Sequence, residues 1–81
     1  MTPAAKLLHA RIIAADARYG AFASTHEAMG VALEEWDELR DAIKANNLAA
    51  VAHEALDLAA VCIRLHDQLG YVESLKDRSA K

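Results

Sequence analysis

A chain of 81 residues with a formal charge of −3 and 54% hydrophobic residues, many of them alanine, is one domain with a thin core, so close helix packing and a partner chain are expected. One proline, three glycines and 5% aromatics leave out the turn chemistry of an all-β domain. No basic cluster tracks a phosphate backbone, which argues against a dedicated nucleic-acid binder.

The first segment, from about Pro3 to Tyr19, opens with Thr2 as cap and Pro3 in the first turn. Leu8, Ile12 and Ala15 recur on one face, and Gly20 ends the helix. Lys6, His9 and Arg11 interrupt its apolar pairs, so it does not read as a signal peptide. Nothing elsewhere reaches the apolar length of a membrane span.

The second helix begins at Ser24, where S-T-H-E has the form of a capping box that Glu27 closes, with His26 inside the cap. It should run to about Ala45, with Asn46 and Asn47 as the stop. Gly30 within it costs about 1 kcal/mol relative to alanine, so tertiary packing must support the helix.

The third helix spans about Leu48 to Leu69 and ends at Gly70, leaving 71–81 as a short last helix or a loose tail of the same single domain, 1–81. Cys62 stands alone in an apolar run, which predicts a small buried hydrophobe and fits a reducing cytoplasm. The expected fold is all-α: an antiparallel helical hairpin plus an N-terminal helix, completing its bundle by homo-oligomerisation as a dimer or tetramer.

Acids stand out in this frame. Glu35 and Glu38 lie three apart on the second helix, and Glu54 and Asp57 three apart on the third, so each pair shares a helix face. In an antiparallel hairpin turning at Asn46–Asn47 the two pairs lie at similar height. Four convergent carboxylates cannot all stay ionised without a cation, and hard oxygen ligands in that number suit Mg²⁺ or Mn²⁺.

Apolar neighbours favour this reading: Ala28, Val31, Leu39 and Ala42 flank Glu35, while Ala50, Val51, Leu58 and Val61 flank Glu54. Against it, His53, Asp57, Arg64 and Gln68 fall on one polar stripe, which would put Asp57 and His53 in water. From spacing alone the cation site and the solvated face both remain open. Trp36 points nearly opposite to the acidic strip, a direction that favours core packing over stacking on a base.

E-E-W-D-E at 34–38 followed by E-A-L-D at 54–57 resembles the EExxE and ExxD signature of the MazG-like, all-α nucleoside triphosphate pyrophosphohydrolases. The flanking S-T-H-E-A-M-G-V-A-L-E-E and V-A-H-E-A-L-D-L-A-A-V-C-I-R-L are similar to short members, so the resemblance covers roughly residues 19–69. It implies that Glu35, Glu38, Glu54 and Asp57 hold Mg²⁺, with Mn²⁺ as a substitute, and that Glu34 orients a ligand or a metal-bound water or touches substrate. Glu34, Glu35 and Glu38 are then the catalytic candidates.

The implied reaction splits a nucleoside triphosphate between its α and β phosphates, releasing pyrophosphate and a monophosphate, and would serve to clear surplus or noncanonical nucleotides. Lys6, Arg11 and Arg18 on the first helix, placed to meet phosphates from a neighbouring subunit, and Lys76 and Arg78 in the tail are the substrate-binding candidates. Phosphoribosyl-ATP pyrophosphohydrolase would use the same acids on another substrate. A non-catalytic helical oligomerisation module, its acids a solvated or partner-binding stripe, is the reading from a different class.

Overall fold

The computed structural model describes the backbone of residues 1–80 and the side chains of residues 1–70; Lys76 and Arg78 lie outside the described side chains. Three helices form in chain order: α1 (Pro3–Tyr19), α2 (Thr25–Lys44) and α3 (Leu48–Ala80). The chain is a small all-α bundle.

Local chemistry sets the helix ends. Thr2 Oγ1 accepts from Ala5 N–H at 3.1 Å, with Pro3 in the first turn of α1. Gly20 leaves α1 with φ 71°, in the region that favours glycine. Ser24 Oγ accepts from Glu27 N–H at 3.1 Å, and the Glu27 carboxylate reaches back to Ala23 N–H at 3.3 Å, one residue beyond the expected reciprocal partner, Ser24 N–H. At the hairpin turn Asn46 takes φ 54°, and Asn47 Oδ1 accepts from Ala50 N–H at 3.2 Å, so one asparagine ends α2 and the other caps α3.

Gly70 does not end the third helix, contrary to the expectation from sequence; α3 continues to Ala80. Glycine without a positive φ only lowers helix propensity, and no proline lies beyond it to enforce a stop.

α3 is central. Both α1 and α2 pack on it, and among the described residues neither packs on the other. α2 runs antiparallel to α3, since Ala28 meets Val61 near one end while Glu35 meets Glu54 farther down. α1 runs parallel to α3: Arg11 reaches Asp57, Asp16 reaches Arg64, and the segment after α1 reaches Gln68. Phe22, Ala28 and Val61 form the buried cluster, with Val31, Ala32 and Leu65 packed against it. None of the large described side chains is fully enclosed, as expected of a core built largely from alanine and valine.

Two side chains expected in the core lie outside it. Trp36 is 45% exposed, on a flank of α2 that it shares with Met29, Leu33 and Ile43. It does point away from the acids, and it is exposed for that reason: the side of α2 that carries Glu35, with Ala28, Leu39 and Ala42, is the side that α3 covers. Cys62 is exposed on α3, because α1 and α2 occupy other sides of that helix. Among the described residues no helix is long and apolar enough to cross a membrane.

Candidate metal centre and groove

The hairpin brings acids from α2 and α3 together. Glu35, Glu38 and Glu54 each offer one oxygen to a group in which all ligand atoms lie within 4.8 Å of one another. His53, Glu54 and Asp57 form a second group of the same span, and Glu54 belongs to both. Asp57 thus sits beside the other three acids rather than completing a single four-carboxylate cage.

The electrostatics are those of crowded anions. Burial first, then repulsion from Glu38, Asp57 and Glu54, raises the Glu35 carboxyl from 4.5 to about 7. Glu54 is raised as well, by burial and by Glu38, with His53 opposing the shift. Oε2 of Glu35 and Oε2 of Glu54 are buried without a hydrogen-bond partner. A buried carboxylate oxygen left unpaired is costly, and a cation is the partner that would satisfy both at once. Hard oxygens with one imidazole nearby fit Mg²⁺ or Mn²⁺.

Asp57 is held differently. Arg11 Nε donates to its Oδ1 at 2.8 Å, His53 Nε2 lies 3.3 Å from Oδ2, and Arg11 Nη2 lies 2.7 Å from His53 Nδ1. An unprotonated Nδ1 lets His53 accept from Arg11, while its Nε2 lies beside Asp57. The polar stripe at 53, 57, 64 and 68 is therefore the seat of α1 and its following loop, while His53 itself stays exposed, at 59%, as the sequence suggested.

Farther along that stripe, Arg64 has a side chain only 6% exposed; it donates to Asp16 Oδ1 and to the Gly20 carbonyl, each at 2.7 Å, and lies 4.6 Å from the Phe22 ring centroid. Gln68 accepts from Phe22 N–H and donates to Phe22 O, each at 2.9 Å.

Between α1 and α2, over α3, runs a groove of about 560 Å³. Arg11, Arg18 and Tyr19 line one wall, Glu34 and Glu35 the other, and Asp57 and Val61 the floor. Arg18 lies 5.2 Å from the Tyr19 ring centroid. Arg11 and Arg18 thus face the groove of their own chain, where the sequence pointed to a neighbouring subunit. Lys6 is exposed and does not line the groove; His26 is exposed and outside both ligand groups.

Arg64 does not stand out from sequence as part of a site, and His53, a weaker ligand candidate there than the acids, reads first as an exposed residue of the stripe. The signal available was the stripe itself, whose alternating acid and base at 57 and 64 answers the base and acid at 11 and 16 on the first helix.

The fold and its acids define a small all-α bundle with potential metal-binding His/Glu/Asp clusters where α2 meets α3. No protein-family model, curated protein or solved structure matches the chain.

Proposed function

We propose that the protein is a Mg²⁺-dependent nucleoside triphosphate pyrophosphohydrolase of the MazG-like kind. The observation that carries this reading is the convergence of Glu35, Glu38 and Glu54 from the EEWDE and EALD strings, with buried, unpartnered oxygens on Glu35 and Glu54. Glu35, Glu38, Glu54 and Asp57 would hold the metal. When bound, Mg²⁺ supplies charge for the phosphate oxygens and makes a coordinated water easier to deprotonate.

The chain's own residues do the positioning. Glu34 lines the groove one residue before the ligands and orients the water or a ligand. Arg11 and Arg18, on the facing wall, draw the triphosphate toward the acids. No side-chain nucleophile is needed, because water serves as the nucleophile and attacks in line at phosphorus.

A second copy of the chain completes the bundle in this reading. Met29, Leu33, Trp36 and Ile43 are each about half exposed, at 55, 54, 45 and 50%, on one flank of α2.

A panel of nucleoside triphosphates incubated with Mg²⁺ and assayed for pyrophosphate tests the activity. The expected products are pyrophosphate and a monophosphate, and orthophosphate release contradicts the proposed bond. Glu35→Gln or Glu54→Gln should lower kcat/KM by more than about 100-fold, since even outer partners of metal ligands cost roughly 10–100-fold when removed. Each substitution should also abolish the Mg²⁺-dependent rise in unfolding midpoint.

A further inference from the structure

We propose that Arg11 and Asp57 form an exchange pair: a metal–phosphate ligand enters by splitting their ion pair, its cation going to Asp57 and its phosphate to Arg11. The inference rests on the metal-site reading above and adds a regulation to it, namely that neither half of the ligand binds well alone.

Asp57 already has a charged partner, Arg11 Nε donating to its Oδ1 at 2.8 Å, with His53 Nε2 3.3 Å from its Oδ2. Glu35 and Glu54 each keep a buried oxygen without a partner. The pair is only partly shielded, with side-chain exposures of 24% for Arg11 and 29% for Asp57, and both residues line the groove beside Glu34 and Glu35. An incoming ligand can therefore reach both members.

The charges then fix the order of events. A cation arriving alone at Asp57 must displace the guanidinium or sit beside it, and the two positive charges repel. A phosphate arriving alone at Arg11 faces Asp57 and Glu35. When both arrive, each resident charge exchanges its partner for one of the same sign, so no group is left unpaired in the groove. The planar guanidinium fork suits phosphate oxygens as well as it suits a carboxylate. Metal and phosphate should thus bind with positive coupling, which by linkage is equal in both directions.

The test is calorimetric titration of the full chain with Mg²⁺, with and without methylenediphosphonate, a diphosphate that resists hydrolysis; chelation in buffer is measured separately and subtracted. In the parent protein the diphosphonate should tighten Mg²⁺ binding by on the order of tenfold or more. Arg11→Met should tighten Mg²⁺ binding in the absence of phosphate and remove the coupling. Arg18→Met, from the same wall but outside the pair, should weaken diphosphonate binding without improving Mg²⁺ binding.

If the parent binds Mg²⁺ and Arg11→Met leaves that affinity unchanged or weaker, the exchange pair is wrong while the metal site stands. If neither parent nor variant binds Mg²⁺ under any of these conditions, the metal-site reading fails and takes the inference with it. Should Arg11→Met lose helix content by circular dichroism, the parent's coupling decides: independent binding of Mg²⁺ and diphosphonate overturns the proposal.

Discussion

Glu35 titrates near 7 in the folded chain and near 4.5 when unfolded. Between those values the folded state holds a proton that the unfolded state has released. Its contribution to stability therefore falls as pH rises from about 4.5 through about 7, then levels off. Glu54 is shifted in the same direction and adds to the trend. In metal-free protein, urea midpoints measured from about pH 5 to about pH 8 should decline, and Glu35→Gln should flatten that decline. Saturating Mg²⁺ should remove it too, because a bound cation favours the ionised carboxylates. A parent midpoint that rises with pH over this window contradicts the crowding around Glu35. The acids themselves were legible from i,i+3 spacing on two helices joined by a short turn. That Asp57 is shared with Arg11 was not, because the contact spans 46 positions and depends on where α1 docks.

Caps and glycines decide the helices one by one. Gly30 lies within α2 without a positive φ, and nothing lies within 4 Å of a Cβ built there. Gly30→Ala should therefore stabilise the chain by about 0.5–1 kcal/mol, whereas Gly20→Ala, at φ 71°, should destabilise it by about 1–2 kcal/mol although it too has room. Thermal unfolding of the two variants checks the opposite signs. The same local chemistry made the helix starts at Thr2 and Ser24 and the turn at Asn46–Asn47 readable from sequence, since each depends on residues a few positions apart. Gly70 misled because glycine is a stop only when the backbone turns left-handed there, and its own identity does not dictate that turn. Trp36 misled for another reason: its direction relative to the acids was right, but the acid-bearing side of α2 is the one that packs on α3, so pointing away from the acids leaves the indole exposed.

At the scale of the molecule, the exposed side chains of α2 at 29, 33, 36 and 43 follow the 4-and-3 spacing of a helix–helix seam, with Arg40 at the position between Trp36 and Ile43. Arg40 is partnered within its own helix by Asp37 at 3.3 Å. A second copy covering this flank would bury the single tryptophan of the chain. Its emission should then shift to shorter wavelength as protein concentration is raised, in step with the mass from sedimentation equilibrium. Leu33→Asp should hold the protein as a monomer with red-shifted emission at all concentrations. A parent that sediments as a monomer with concentration-independent emission rules this seam out. All-α character and three helices were visible in the chain from periodicity and composition. The arrangement around a central α3 was not, since it is decided by ion pairs between residues more than forty positions apart.

The lack of packing between α1 and α2 among the described residues has a mechanical consequence. Each helical wall of the groove packs on α3, and the two walls are joined at one end through Phe22, which packs with Ala28 and Val61, so the width of the opening is set from that end and from α3. On the α1 side the polar tether is made of charge: Arg11 to Asp57, and Arg64 to Asp16 and Gly20. Salt should therefore screen the partly exposed Arg11–Asp57 tether more than the Arg64–Asp16 one, whose guanidinium is only 6% exposed.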